Sequence, residues 1–129
     1  MNTLEEELKK LHDSCIQHRL GLATAESCTG GFISKLITDQ SNSSQYYKGS
    51  VIAYSNDVKS NILNVPSELI HQYGAVSKEV SNAMAEGLLK IIHTDIALSV
   101  TGIMEKNNDA LAKECQVYIT VMSHDNHET

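Results

Sequence analysis

Leu4, Leu8, Leu11, Cys15 and Ile16 recur at helical spacing, and Thr3 with Glu6 forms a capping box ahead of them, so a helix opens the chain. Leu20 to Ala25, apolar but for Thr24, reads as a short buried strand. Paired glycines at 30 and 31 follow, then Phe32, Ile33, Leu36 and Ile37 mark one face of a second helix. Gln40 to Ser44 is polar and turn-rich and predicts a loop. The stretch from Tyr46 to Tyr54, with its run Val51-Ile52-Ala53-Tyr54, favours a strand. Asn56-Asp57 can cap a short helix reaching Leu63, and Pro66 opens another, with Ser67 and Glu68 in its first turn.

Val76, Val80, Ala83, Met84, Gly87, Leu88 and Ile91 outline what reads as the longest helix, roughly Ser77 to His93. Asp95 to Thr101 predicts a strand ending at Gly102, and Cys115 to Met122 a last one after the polar segment Glu105 to Ala112. Ser123 to Thr129 reads as a frayed tail. Strand and helix signals alternate, which predicts a three-layer α/β/α domain around a largely parallel sheet. At 129 residues, with no repeat or linker, one domain spanning 1–129 is expected.

Charge narrows the partners. Sixteen acidic residues against ten basic ones leave a net charge of −6, and the basic residues are scattered. Neither a nucleic-acid surface nor a membrane surface is expected from that balance. No apolar run approaches a membrane span, and Met1 to Glu7 lacks the features of a signal peptide, so a cytoplasmic protein is expected. Cys15, Cys28 and Cys115 are odd in number and show no CxxC spacing, and the six histidines show no ligand spacing, so no metal site is expected.

Candidate chemistry concentrates in Ala23-Thr24-Ala25-Glu26-Ser27-Cys28-Thr29-Gly30-Gly31. In α/β proteins, ligands bind beyond the carboxyl ends of strands. Backbone N–H groups at the next helix start can hold an anion or a developing oxyanion, and glycines allow close approach. Ser27 can act as a nucleophile where a base is near; equally, Ser27 or Thr29 can simply cap the helix. Cys28 is a rival nucleophile, since thiolates are favoured at helix N-termini. Read alone, Tyr54 fits a buried aromatic with a satisfied hydroxyl, and Lys59 a solvated surface lysine.

These residues do not stand alone. The Ala23 to Gly31 motif, Val51-Ile52-Ala53-Tyr54-Ser55-Asn56-Asp57-Val58-Lys59, Tyr73-Gly74-Ala75-Val76-Ser77 and Ser99-Val100-Thr101-Gly102-Ile103 occur in that order. Over about residues 5 to 103 the chain resembles the C-terminal domain of competence/damage-inducible protein CinA, a domain also found alone as nicotinamide-nucleotide amidase (PncC). The resemblance implies hydrolysis of the carboxamide of nicotinamide mononucleotide, a small-molecule partner, to nicotinic acid mononucleotide and ammonia in pyridine-nucleotide salvage. It places the nucleophile on Ser27 and its assistants on Tyr54 and Lys59, with no metal and no cofactor. Glu26, Thr29, Gly30, Gly31, Asn56, Thr101 and Gly102 would line the substrate site. Amide hydrolysis needs an activated nucleophile, oxyanion donors and a proton for ammonia, and a buried lysine can serve as the base.

Beyond Ile103 the chain departs from the family. Where the family has a Gly/Pro-rich loop and a strand led by Pro-Val-Gly-Thr, Met104 to Glu114 has no glycine and adds Glu105, Asp109 and Glu114. The family's further strand, its Gly-Asp-Arg-like segment and its final helix have no counterpart within these residues. Apolar sheet surface left bare in this way favours a homodimer. Two readings therefore stand: a divergent amidase, or a catalytically inactive relative that binds a ligand or a partner protein.

Overall fold

A computed structural model describes residues 2–103 and 116–129. The elements run α1 (Thr3–His18), β1 (Leu22–Glu26), α2 (Phe32–Thr38), β2 (Tyr47–Ile52), α3 (Asn56–Asn61), α4 (Ser67–Tyr73), α5 (Lys78–Ile91), β3 (Ile96–Gly102), β4 (Val117–Ser123) and β5 (His127–Glu128). A 3-10 turn, Ser43–Gln45, overlaps the end of the expected loop and runs one residue past it.

The caps sit one residue before the expected ones. Asn2, not Thr3, accepts the Glu5 N–H at 2.8 Å, and the Glu5 carboxylate accepts the Asn2 N–H in return at 3.4 Å. Ser55 rather than Asn56 caps α3, accepting the Val58 N–H at 3.2 Å. In each case the capping side chain leaves an extended backbone, which frees its oxygen to turn back on the helix. The longest helix is α1 at 16 residues; α5 has 14, because Ile92 is already extended.

The strands form one sheet in the order β2-β1-β3-β4-β5. Its centre is parallel, β1 pairing with β2 on one side and β3 on the other, while β4 and β5 are antiparallel additions beyond β3. Helices cover both faces. Cys15 of α1 and Ile37 of α2 pack with Leu22 and Tyr46 on one side. On the other, Val80, Met84, Ala85 and Leu88 of α5 pack with Leu63, Val65 and the small side chains of Ala23, Ala25 and Ala97. Being covered on both faces, β1 is buried at all five positions without alternation, polar Thr24 and Glu26 included.

The tail corrects the expected fraying. Ser123 N–H donates to Asn126 O at 2.7 Å, turning the chain so that β5 pairs with β4. Thr129 Oγ1 then bonds Thr120 Oγ1 at 2.8 Å and also reaches Asn82 on α5. Pairing with a sheet edge overrides the polar local sequence. On the opposite side of β4, Val117, Ile119 and Val121 form an exposed apolar row. Among the described residues no helix is long and apolar enough to cross a membrane.

Candidate active site

Two backbone bonds hold the end of β1 between its neighbours. Ala53 N–H donates to Glu26 O at 2.8 Å from the β2 side, and Ser27 N–H donates to Val100 O at 3.0 Å on the β3 side. The chain then turns sharply, with Gly30 N–H donating to Ser27 O at 3.0 Å. Gly30 at φ 62° and Gly31 at φ 103° supply the left-handed backbone this turn requires. A Cβ on Gly31 would also meet Ile52 Cδ1 at 2.9 Å. The glycines thus shape the turn; neither lines the crevice described below.

Glu26 is likewise not free for a substrate. It is fully buried, and its carboxylate accepts bonds from Ile33 N–H (2.9 Å), Ser34 N–H (2.9 Å), Ser34 Oγ (2.7 Å), Thr29 Oγ1 (2.8 Å) and Thr24 Oγ1 (3.1 Å). It occupies the first turn of α2 from the end of β1, doing the work that a local cap would do; neither Ser27 nor Thr29 caps the helix. Thr29, its hydroxyl committed to Glu26, also lies off the crevice. The expected anion site at this helix start is therefore filled by the protein's own carboxylate.

Burial alone would raise the Glu26 pKa. The bonds from Ser34, Thr29 and the N–H groups of Ile33 and Ser34 outweigh it and hold the carboxyl below its ordinary 4.5. A carboxyl whose folded pKa is depressed stabilises the fold above its unfolded pKa, and that contribution is lost as pH falls through the folded value. Glu26→Gln is expected to destabilise the protein by about 1.5–3 kcal/mol at pH 7, since an amide places N–H against N–H. In urea unfolding, the gap between wild type and variant should narrow as pH drops below about 4.5. An equal gap at pH 3 and pH 7 would contradict the assignment of charge to Glu26.

Ser27, Tyr54, Asn56, Lys59, Thr101 and Gly102 do converge, lining a crevice of about 410 Å3 beyond the carboxyl ends of β1, β2 and β3. Lys59, in α3, is only 2% exposed and donates through Nζ to the Tyr54 main-chain O at 3.0 Å. Burial pushes its pKa below the usual 10.5, with the Cys28 thiol a weaker opposing influence. Lys59 is thus not a solvated lysine, nor is Tyr54 a buried aromatic: its side chain is 74% exposed at the crevice mouth. Thr101 Oγ1 donates to Ala75 O at 2.8 Å, tying the α4–α5 loop over the site.

Cys28 also reaches the crevice, half-buried, with Sγ 3.1 Å from where a Cβ on Gly102 would lie. Burial pushes this thiol up, against smaller opposing effects of the Cys28 and Thr29 N–H groups and of Lys59, so the protonated, less nucleophilic form is favoured. Ala75, Val76 and Ile103 complete the walls. The motif Tyr73 to Ser77 was the sequence signal for the first two, though apolar loop residues announce no chemistry of their own. The departure at Met104 to Glu114 lies outside the described residues, which contain no cluster of three metal-ligating side chains.

Comparison with known proteins sets this geometry in context. The family model of the CinA C-terminal domain matches residues 4–129. A CinA-like protein of Syntrophomonas wolfei is 57% identical over 82 residues, covering 64% of this chain and 20% of the relative. A putative competence-damage inducible protein of Desulforudis audaxviator is 39% identical over 116 residues, 89% of this chain and 28% of the relative. The chain thus spans less than a third of the length of these curated relatives. Among solved structures, the competence/damage inducible protein CihA of Agrobacterium tumefaciens superposes with a TM-score of 0.90 at 29% identity, covering 99% of this chain and 80% of that one. The competence damage-inducible protein A of Klebsiella pneumoniae gives 0.89 at 28% identity, covering 98% and 80%.

Proposed function

Because this chain belongs to the CinA C-terminal domain family, we propose that it hydrolyses the carboxamide of nicotinamide mononucleotide, releasing ammonia and nicotinic acid mononucleotide. The observation that carries this reading is the buried amine of Lys59 in the crevice that Ser27 and Tyr54 also line. A lysine with a depressed pKa has a neutral fraction able to accept the Ser27 proton. The Ser27 oxygen then attacks the carboxamide carbon, and the negative charge on its oxygen requires N–H donors, the turn amides of Cys28 and Thr29 being nearest in sequence. The proton held by Lys59 passes to the departing nitrogen, with the Tyr54 hydroxyl orienting or relaying it. Water, deprotonated in the same way, hydrolyses the acyl-enzyme and restores Ser27. The route uses no metal and no cofactor.

We place the reaction in pyridine-nucleotide salvage in the cytoplasm, in a homodimer favoured by the apolar row Val117, Ile119 and Val121. Incubating the protein with nicotinamide mononucleotide and measuring ammonia tests the activity directly. The ascending limb of kcat/KM against pH is expected to have its midpoint below the 10.5 of an ordinary lysine. Lys59→Met, which keeps the buried volume, should lower kcat by roughly a hundredfold or more and remove that limb. A limb unchanged in Lys59→Met would assign the base elsewhere.

A second reading rests on the sequence Met104 to Glu114, which has no glycine and adds Glu105, Asp109 and Glu114 where the family has a Gly/Pro-rich loop. Carboxylates there oppose a nucleotide phosphate, and a relative that only binds a ligand or a partner protein fits such a change. Saturable binding of the mononucleotide without ammonia release would favour it.

A further inference from the structure

The turn from Glu26 to Gly30 is closed twice. Gly30 N–H donates to Ser27 O at 3.0 Å in the main chain, and Thr29 Oγ1 donates to Glu26 Oε1 at 2.8 Å across it. We infer that Thr29 is a positioning residue, its hydroxyl bond to Glu26 aiming the Cys28 and Thr29 N–H groups at the oxygen that becomes negative during attack by Ser27. The inference rests on the serine-amidase reading above. It gives the Thr29 side chain, which lies off the crevice, a role in the chemistry without contact to substrate.

Three observations single out these two amides. The Ser27 N–H is spent on Val100 O at 3.0 Å, so it cannot serve. Among the described residues, the Cys28 and Thr29 N–H groups have no main-chain acceptor. Both are directed instead at the Cys28 thiol, which lines the crevice with Ser27. A thiol is a weak acceptor, so a developing oxyanion can take its place.

The carboxylate that holds Thr29 is itself fixed. Glu26 is fully buried, Ile33 and Ser34 N–H each donate to it at 2.9 Å, and Ser34 Oγ donates at 2.7 Å. Ser34 Oγ also meets Tyr47 OH at 2.6 Å, and that phenol meets Thr24 Oγ1 at 2.7 Å. The carboxylate is thereby tied to β1, β2 and α2 together. Among the described residues, the Thr29 hydroxyl is the only group of the 28–31 turn that bonds this anchor. Without it the turn keeps its main-chain bond but is no longer held to the anchor. A shift of about 1 Å at a reacting centre can cost roughly a hundredfold in rate.

Thr29 is half-buried, so its variants leave the core intact. Thr29→Val keeps the branched shape and removes the hydroxyl, whereas Thr29→Ser keeps the hydroxyl. With nicotinamide mononucleotide, Thr29→Val is expected to lower kcat roughly tenfold to a hundredfold with KM within about twofold, because oxyanion donors act only in the transition state. Thr29→Ser should restore most of the rate. A second probe, pyridine-3-boronic acid, reads the same donors without turnover. Ser27 Oγ adds to its boron, the hydroxyl proton passes to Lys59, and an oxygen of the tetrahedral adduct stands where the oxyanion would. Affinity for this probe should fall roughly tenfold or more in Thr29→Val and stay near wild type in Thr29→Ser. Boronate binding that weakens in this way supports the inference even where wild type releases no ammonia, a result that would count against the amidase reading alone. Equal boronate affinity in all three proteins, no boronate binding by wild type, or a loss in Thr29→Val confined to KM would overturn the inference. A fall in Tm with kcat unchanged would make Thr29 a structural tie and overturn it as well.

Discussion

Ser27→Ala is expected to cut ammonia release from nicotinamide mononucleotide by roughly 10^4-fold or more, the scale on which removing a nucleophile deletes the covalent route. The fold should be unaffected, because the bonds that hold this residue, its N–H to Val100 O and its O from Gly30 N–H, are main-chain bonds that alanine keeps. Cys28→Ala is the matched control. Its thiol is pushed toward the protonated form by burial and fills space beneath Gly102, so most activity should survive its removal. Both variants sit one position apart at the same turn, so a general disturbance of the turn would depress both. An essential Cys28 with a dispensable Ser27 would reverse the roles; equal loss in both would point to the turn rather than to either atom.

Gly87→Ala carries the largest expected effect on stability. In a helix interior, alanine ordinarily gains about 0.5–1 kcal/mol over glycine. Here a Cβ would lie 1.8 Å from Leu63 O and 2.8 Å from Leu63 C, contacts with backbone that no rotamer change relieves. The α3–α4 segment must move away from α5, opening the core around Leu63 and Val65. A net loss of about 2 kcal/mol or more is expected, read as a fall in Tm of roughly 5–10 °C. The displacement should also reach the crevice, since Val65 N–H donates to Lys59 O at 3.0 Å. A variant as stable as wild type would mean that this helix contact is looser than its geometry implies.

Gly87 illustrates the division between sequence and structure. Periodicity placed it on the inward face of α5 beside Met84 and Leu88, and the helix does bury that face. Nothing local could reveal that the neighbour is the carbonyl of Leu63, because that contact joins segments about two dozen residues apart. Lys59 is a similar case. Its position in a short helix after β2 follows from the Ser55 cap, but its burial depends on α3 lying over the crevice at the strand ends, a matter of tertiary packing. Read locally, a lysine in a polar helix is solvated.

The sequence by itself determined the parts that depend on local chemistry. The alternation of strand and helix, the buried strand β1 and the glycine turn at 30–31 were legible in it, while the grouping of Ser27, Tyr54 and Lys59 was expected only from the resemblance of ordered motifs to a family. Tertiary structure alone decided the parts that depend on pairing across distance. Glu26 was expected to meet substrate, yet it caps α2 because the strand end points its carboxylate at the Ile33 and Ser34 amides. The tail was expected to fray, yet β5 forms because β4 offers an unpaired edge. The strand order likewise left no local mark, placing β4 antiparallel beyond β3. The physical reason is the same throughout. A residue's intrinsic preference fixes its own backbone and which face it turns inward, whereas its hydrogen-bond partner and its solvation are set by whichever distant segment packs against it.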